Sequence, residues 1–378
     1  MVGETSAQLL QLVRCFGNAA DADNRDIEVA AASEAAFDAL GGLGEKLLAD
    51  VPAHAYAHAW LKTELVRKCA VGVVALCHRD HSVATVGAYA CPMPDFGTVL
   101  TAVITPFDAD GRVDEAAFVR ILEHLAASGS DGAVVAGTTG EASTLTDEEH
   151  IGVIKLAADE RPDGFTIIAG TGSNDTRHAC ELTSRASQYE IDGILSVTPY
   201  YNRPPLRGVA RHFEEVAKST DLPVIVYNIP GRTGTDMPND FLAELAQVDN
   251  IVGVKQSNND NLAMIEGLQL YAGNDEVFAQ VLDMGGSGGI LTASHVVGPE
   301  FRRMADEPEN RQTIHQSLLP VFEALAVAPA ATADKAALNL MGLPGGHVRL
   351  PYVDADESET ATIRAMLEER GLVGVAAS

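Results

Sequence analysis

The sequence predicts an α/β protein built on a closed (β/α)8 barrel, a TIM barrel, and three observations carry that expectation. From Gly97 onward, short β-branched runs alternate with longer amphipathic segments. The short runs are continuously apolar rather than alternating, as in a parallel sheet covered by helices. Eight such units fall within about 200 residues, as a closed barrel requires. The competing architecture, an open doubly wound sheet, lacks its fingerprint, because no Gly-x-Gly-x-x-Gly turn opens the first unit.

In chain order, strands are expected at 99–105, 133–136, 166–169, 193–197, 224–227, 252–255, 270–272 and 289–292. Helical patterns lie between them at 114–128, 146–159, 175–189, 206–219, 239–247 and 277–284, with a shorter helix at 259–268. Thr146 stands as a cap before Asp147-Glu148-Glu149, with Glu149 at the third helical position, a capping-box signature. Pro238-Asn239-Asp240 also suits the start of a helix. After residue 300 the pattern is wholly helical, at 310–328, 332–341 and 357–370, which predicts a C-terminal helical subdomain. The expected organisation is therefore an N-terminal extension of unknown fold at 1–92, a barrel at 93–300 and the helical subdomain at 301–378.

Composition narrows the function. A net charge of -27 argues against nucleic acid or an anionic membrane surface as a partner. Apolar runs such as 70–76 are far shorter than the roughly 20 residues a membrane span needs. The first residues, Met1-Val2-Gly3-Glu4-Thr5, lack the basic start of a signal peptide, so a cytoplasmic protein is expected. Five cysteines at irregular spacing give no disulfide framework, and four of them precede residue 93. Residues 1–92 carry seven basic and eleven acidic side chains, leaving -23 for the remainder.

The active site of a parallel barrel lies at the C-terminal ends of its strands. Of the four lysines after residue 92, Lys155, Lys218 and Lys335 fall in helical patterns, where an exposed lysine is ordinary. Lys255 alone ends an apolar strand, Ile251-Val252-Gly253-Val254-Lys255. An amine held among apolar walls loses solvation for its charged form and becomes nucleophilic, as Schiff-base chemistry with a ketone requires. A buried structural ion pair is the competing explanation for such a lysine. Neighbouring strand ends favour chemistry. The second ends in Gly137-Thr138-Thr139-Gly140-Glu141, whose hydroxyls and backbone amides suit a carboxylate. The fourth ends in Thr198-Pro199-Tyr200-Tyr201-Asn202, and the fifth in Tyr227-Asn228-Ile229-Pro230-Gly231-Arg232-Thr233-Gly234. Tyrosine can pass protons and arginine can grip a carboxylate through two hydrogen bonds.

With these motifs, and Gly253-Val254-Lys255, the chain from about Phe96 to its C-terminus resembles the dihydrodipicolinate synthase / N-acetylneuraminate lyase family. The resemblance implies that Lys255 forms an imine with pyruvate, and that Tyr227, Thr138 and Tyr201 relay protons, Tyr201 reaching into a neighbouring subunit. Thr139 would hold the pyruvate carboxylate, Gly273 and Ile290 would line the pocket near the lysine, and Arg232 would bind the carboxylate of aspartate semialdehyde. Arg232 and Thr138 resemble the synthase branch rather than the lyases. Neither metal nor organic cofactor is implied, and the expected assembly is a homotetramer of tight dimers. The competing readings are another pyruvate-dependent aldolase acting on a 2-keto-3-deoxy acid, and a non-catalytic ligand sensor on the same fold.

The chain departs from the family's pattern in places. Gln256 follows the lysine where an acid is frequent, a change expected to bear on its electrostatics. At the positions where lysine-inhibited members place effector contacts, Asn174, His150 and Tyr200 match, whereas Ala142, Asp147 and His178 do not, which implies weak or absent feedback by lysine. Family members usually begin near Met93, so 1–92 reads as an upstream start, a fused remnant or an accessory domain. A metal site built on Cys77, His78 and His81 with Cys69 or Cys91 matches no common ligand spacing. His54 and His58 lack the glutamate of a metalloprotease motif.

Overall fold

The computed structural model describes residues 93–374. Their eight strands are β1 (Val99–Ala102), β2 (Gly132–Val135), β3 (Thr166–Gly170), β4 (Gly193–Val197), β5 (Val224–Asn228), β6 (Ile251–Gln256), β7 (Gln269–Ala272) and β8 (Gly288–Leu291). All pair in parallel in sequence order, and β8 closes on β1 with Leu100 opposite Ile290. The chain is thus a (β/α)8 barrel, as the sequence predicts.

Alternation along each strand divides the apolar residues into two layers. Leu100, Val134, Ile168, Leu195, Ile225, Tyr271 and Ile290 form one buried cluster, the filled interior of the barrel. Their neighbours Val99, Val135, Ile167, Ile194, Val226 and Val254 belong to a second cluster shared with the helices. Phe96 joins the interior cluster, and a Cβ on Gly193 would stand 2.9 Å from its ring. The Asp131 carboxylate accepts from the backbone of Thr98 and Val99 and from Arg302, tying the start of β1 to β2 and the outer helices.

The helices are α1 (Glu115–Ala127), α2 (Asp147–Asp159), α3 (Thr176–Ala186), α4 (Leu206–Lys218), α5 (Pro230–Thr233), α6 (Asn239–Leu245), α7 (Phe278–Asp283), α8 (Ser294–Asp306), α9 (Arg311–Leu325), α10 (Ala330–Met341) and α11 (Glu357–Glu369). Thr146 and Glu149 form the expected capping box on α2, and α6 starts after Pro238. Helices α9, α10 and α11 pack on one another, with Leu318, Leu338, Ile363 and Leu367 buried. Among the described residues no single helix is long and apolar enough to cross a membrane.

Three details differ from the sequence reading. The helix expected at 259–268 is a single 3-10 turn, Asn259–Asn261, capped by Asn258, and the rest is irregular. Its polar asparagines favour side-chain-to-backbone hydrogen bonds over a continuing helix. Helix α8 was hidden in the sequence by Gly298 and Pro299, and Val297 interrupts its helical backbone. It runs across position 300. Lys335 is the third difference. It is not an exposed helical lysine but is 2% exposed, paired with Glu141. Cys69, Cys77, His78, His81 and Cys91, considered for a metal site, and His54 and His58 lie outside the described residues.

Candidate active site

Parallel pairing places the ends of neighbouring strands side by side, and β5 and β6 align Tyr227 with Lys255. Both side chains point into the barrel, where Lys255 is 5% and Tyr227 6% exposed. The Lys255 ammonium lies 4.4 Å from the centre of the Tyr227 ring. Among the described residues no carboxylate or hydroxyl hydrogen-bonds to that nitrogen. A lysine without an anionic partner in an apolar setting is not a structural ion pair. Its amine faces the cavity with no anion to hold it.

The strand ends surround a cavity of about 540 Å³. Its walls include Lys255, Tyr227, Thr138, Thr139, Arg232 and Gly273, six of the eight residues the sequence singles out. Ala102, Val134, Leu195, Val197 and Ile229 supply its apolar surface. Two residues lie elsewhere. Ile290 is fully buried in the barrel interior and does not line the cavity. Tyr201 also lies off the cavity wall, 89% exposed and with a positive φ of 73°. Gly273 has a local reason: a Cβ there would meet Ser257 Oγ at 2.1 Å and the Gln256 carbonyl oxygen at 2.8 Å. Only a residue without a side chain lets the end of β7 lie against β6 beside the lysine.

The residues that hold β5 and β6 together are polar and buried. Thr198 donates from both its backbone N–H and its hydroxyl to the Tyr227 carbonyl. Gln256 points to the opposite face of β6 from Lys255, where its side-chain Oε1 accepts from Asn228 Nδ2 (3.0 Å) and from the Asn258 backbone N–H (2.9 Å). Asn228 also donates to Asp236 and accepts from the Met237 backbone. The amide after the lysine is therefore a pin between β5 and β6, and one that brings no charge of its own beside the amine.

Several wall residues had no motif to announce them. Asp275 follows β7, is half-buried, and accepts from Thr292 N, Thr292 Oγ1 and Ala293 N; desolvation pushes its carboxyl up. Ala330, Ala331 and Tyr352 come from the C-terminal segment. On the side of α2 and α3, the His178 ring bridges Asp147 and Ser173 at 3.0 Å each. Two of the three departures from the family's effector contacts, Asp147 and His178, thus face each other across the cavity wall. His150 donates from Nε2 to the Gly170 carbonyl at 2.7 Å, and burial holds its pKa below the ordinary histidine value. Among the described residues no group of three or more His, Cys, Asp or Glu is placed to hold a metal ion.

A model of the dihydrodipicolinate synthetase family matches residues 95–370. The chain is 41% identical over 290 residues to 4-hydroxy-tetrahydrodipicolinate synthase of Heliobacterium modesticaldum, covering 74% of this chain and 97% of that protein. It resembles the crystal structure of the Cyanidioschyzon merolae enzyme with lysine bound at a TM-score of 0.71 and 39% identity, covering 74% of this chain and 99% of the other. The pyruvate complex of the Acinetobacter baumannii dihydrodipicolinate synthase also aligns at a TM-score of 0.71, with 32% identity over 74% of this chain and 100% of the other.

Proposed function

The chain belongs to the dihydrodipicolinate synthetase family, and from that premise we infer which residues carry its reaction. It is a lyase that condenses pyruvate with aspartate semialdehyde to 4-hydroxy-tetrahydrodipicolinate, in lysine biosynthesis. The observation that carries the residue assignment is the unpartnered, buried Lys255 beside Tyr227 at the mouth of the barrel.

In this reading Lys255 Nζ adds to the ketone carbon of pyruvate, and loss of water leaves the imine. Loss of a methyl proton gives the enamine, with the imine nitrogen as electron sink. The enamine carbon attacks the aldehyde carbon of aspartate semialdehyde, and the new alkoxide takes a proton. The semialdehyde's own amine then attacks the imine carbon, closing the ring and returning Lys255 as the free amine. Tyr227 and Thr138 move the protons, joined by Tyr201 from a neighbouring subunit. The exposure of Tyr201 at 89% supports its working outside its own chain's cavity. Thr139 holds the pyruvate carboxylate, Gly273 leaves room beside the lysine, and Arg232 receives the second substrate's carboxylate. Ile290 supports the lysine's surroundings only through packing.

Enzymes of this family are oligomeric. We take the assembly to be a homotetramer of tight dimers, in the cytoplasm, with the barrel and its C-terminal helices as the catalytic unit from Met93 onward. The Asp147–His178 pair fills the place of unlike effector contacts, so inhibition by lysine is expected to be weak or absent. Inhibition at physiological lysine concentrations contradicts that expectation.

The deciding experiment is condensation by the purified chain, coupled to a reductase that consumes the product. Turnover that disappears in Lys255→Ala establishes the assignment. A protein that pyruvate and borohydride label at Lys255, but that does not turn over the semialdehyde, retains the imine chemistry and points to another aldehyde partner.

A further inference from the structure

Glu141 ends the Gly137-Thr138-Thr139-Gly140-Glu141 turn after β2 and is 1% exposed. Its backbone is left-handed at a φ of 55°, a conformation costly for a residue with a Cβ, so its surroundings must hold it there. Its N–H donates to the Thr138 carbonyl at 3.1 Å, and the following Ala142 N–H donates to Gly137 at 3.2 Å. The geometry of Glu141 and that of the two threonines are therefore one problem.

Both carboxylate oxygens are gripped from the far end of the chain. Lys335 Nζ, on α10, donates to Oε1 at 2.5 Å, and the Arg349 backbone N–H donates to Oε2 at 2.9 Å. Lys335 also donates to the His347 carbonyl at 2.7 Å. The Arg349 guanidinium spans the Gly111 and Thr144 carbonyls and both oxygens of Glu149. Phe107 lies beneath both cations, at 4.3 Å from Lys335 and 4.1 Å from Arg349. Helix α10 lines the cavity with Ala330 and Ala331, one to two turns before Lys335, and Tyr352 does so just after Arg349.

We propose that Glu141 and Lys335 are positioning residues, through which the C-terminal segment holds Thr138 and Thr139 in the geometry that receives pyruvate. The proposal rests on the assignment of those threonines to the carboxylate pocket. A turn held at both carboxylate oxygens is preorganised, so the cost of ordering it does not fall on substrate binding. The cation and the carboxylate are each buried, and each is fully answered only by the other together with backbone groups.

The test compares the wild-type enzyme with Glu141→Gln, Lys335→Met and the double variant. Arg311→Met is the control, removing the ion pair between a largely buried arginine and the half-exposed Asp283, on other elements. Two readouts are taken on folded protein: KM for pyruvate with kcat, and hydrogen exchange of the peptide spanning 137–145. The double variant leaves neither partner as an unpaired charge, so it remains readable where a single variant fails to fold. The expected result is a rise of about tenfold or more in KM for pyruvate, a lower kcat and faster exchange across 137–145 in the Glu141 and Lys335 variants. In Arg311→Met both readouts stay at the wild-type level although stability falls. Wild-type KM and exchange in the folded double variant overturn the proposal, as does raised KM with unchanged exchange. A wild-type enzyme that pyruvate does not label overturns the carboxylate-pocket assignment instead, and the exchange data still decide whether this grip exists.

Discussion

Lys255 and Lys335 are both buried, at 5% and 2% exposed, in opposite surroundings. Lys335 sits in a saturated site: a carboxylate, a backbone carbonyl and an aromatic ring account for its ammonium. Burial pushes its pKa down to about 8 even with Glu141 opposing that shift. Lys255 has a tyrosine ring beside it and the cavity in front of it. A buried cation answered by its fold contributes to structure, whereas one left unanswered is available to a substrate. The competing explanation weighed for Lys255, a structural ion pair, describes Lys335 instead.

The sharpest way to break this contrast is to remove each amine with the same isosteric substitution. Lys255→Met is expected to lower turnover by at least about a thousandfold, because the covalent intermediate cannot form. Its melting temperature should equal or exceed that of the wild type, since no partner is left unpaired and an apolar chain fills the space. A clear loss of stability in Lys255→Met would mean that the lysine also has a structural role. Lys335→Met reverses the pattern. Leaving the Glu141 carboxylate buried without its cation should cost about 3–5 kcal/mol of stability, read by denaturant unfolding. The folded fraction should still be labelled at Lys255 by pyruvate and borohydride. Stability unchanged within error would show that the Glu141 site relaxes without its partner.

The same contrast explains what the sequence made legible. Lys255 was found because its signal is local: an apolar strand that ends in a charged residue, in a fold whose strand ends form the site. Tyr227, Thr138, Thr139 and Arg232, which also line the cavity, stand in strand-end motifs for the same reason, whereas Gly273 came only from the family's pattern. Lys335 was misplaced because its burial depends on a residue 194 positions away, which helical periodicity does not encode. Asp275 and Tyr352 were missed likewise, since their place on the wall comes from how β7 and the C-terminal segment return to the barrel. Ile290 followed the family's pattern but lies one layer deeper, in the barrel interior. Helix α8 escaped because Gly298 and Pro299 resemble a break, although the helix carries Phe301 and Met304 into the core.

The smallest expected effect concerns the outer end of the same network, and it is read through pH. Hydrogen bonds from the Arg349 guanidinium hold the Glu149 carboxyl down to about 2, from an ordinary value of 4.5. A carboxyl depressed in the folded state contributes stability that is fully present above its unfolded pKa and is lost as pH falls through the folded one. The window is therefore 4.5 down to about 2. In Arg349→Met the larger part of that contribution is removed at every pH, and the part from Thr146 stays. The difference in melting temperature between wild type and variant should be constant above 4.5 and should shrink as the pH is lowered through the window. Added salt should narrow it less than for the exposed Lys155–Asp159 pair, because the Arg349 side chain is only 17% exposed and Lys155 is 53% exposed. A difference that persists unchanged to the bottom of the window would assign the role of Arg349 to its packing on Phe107 rather than to its charge.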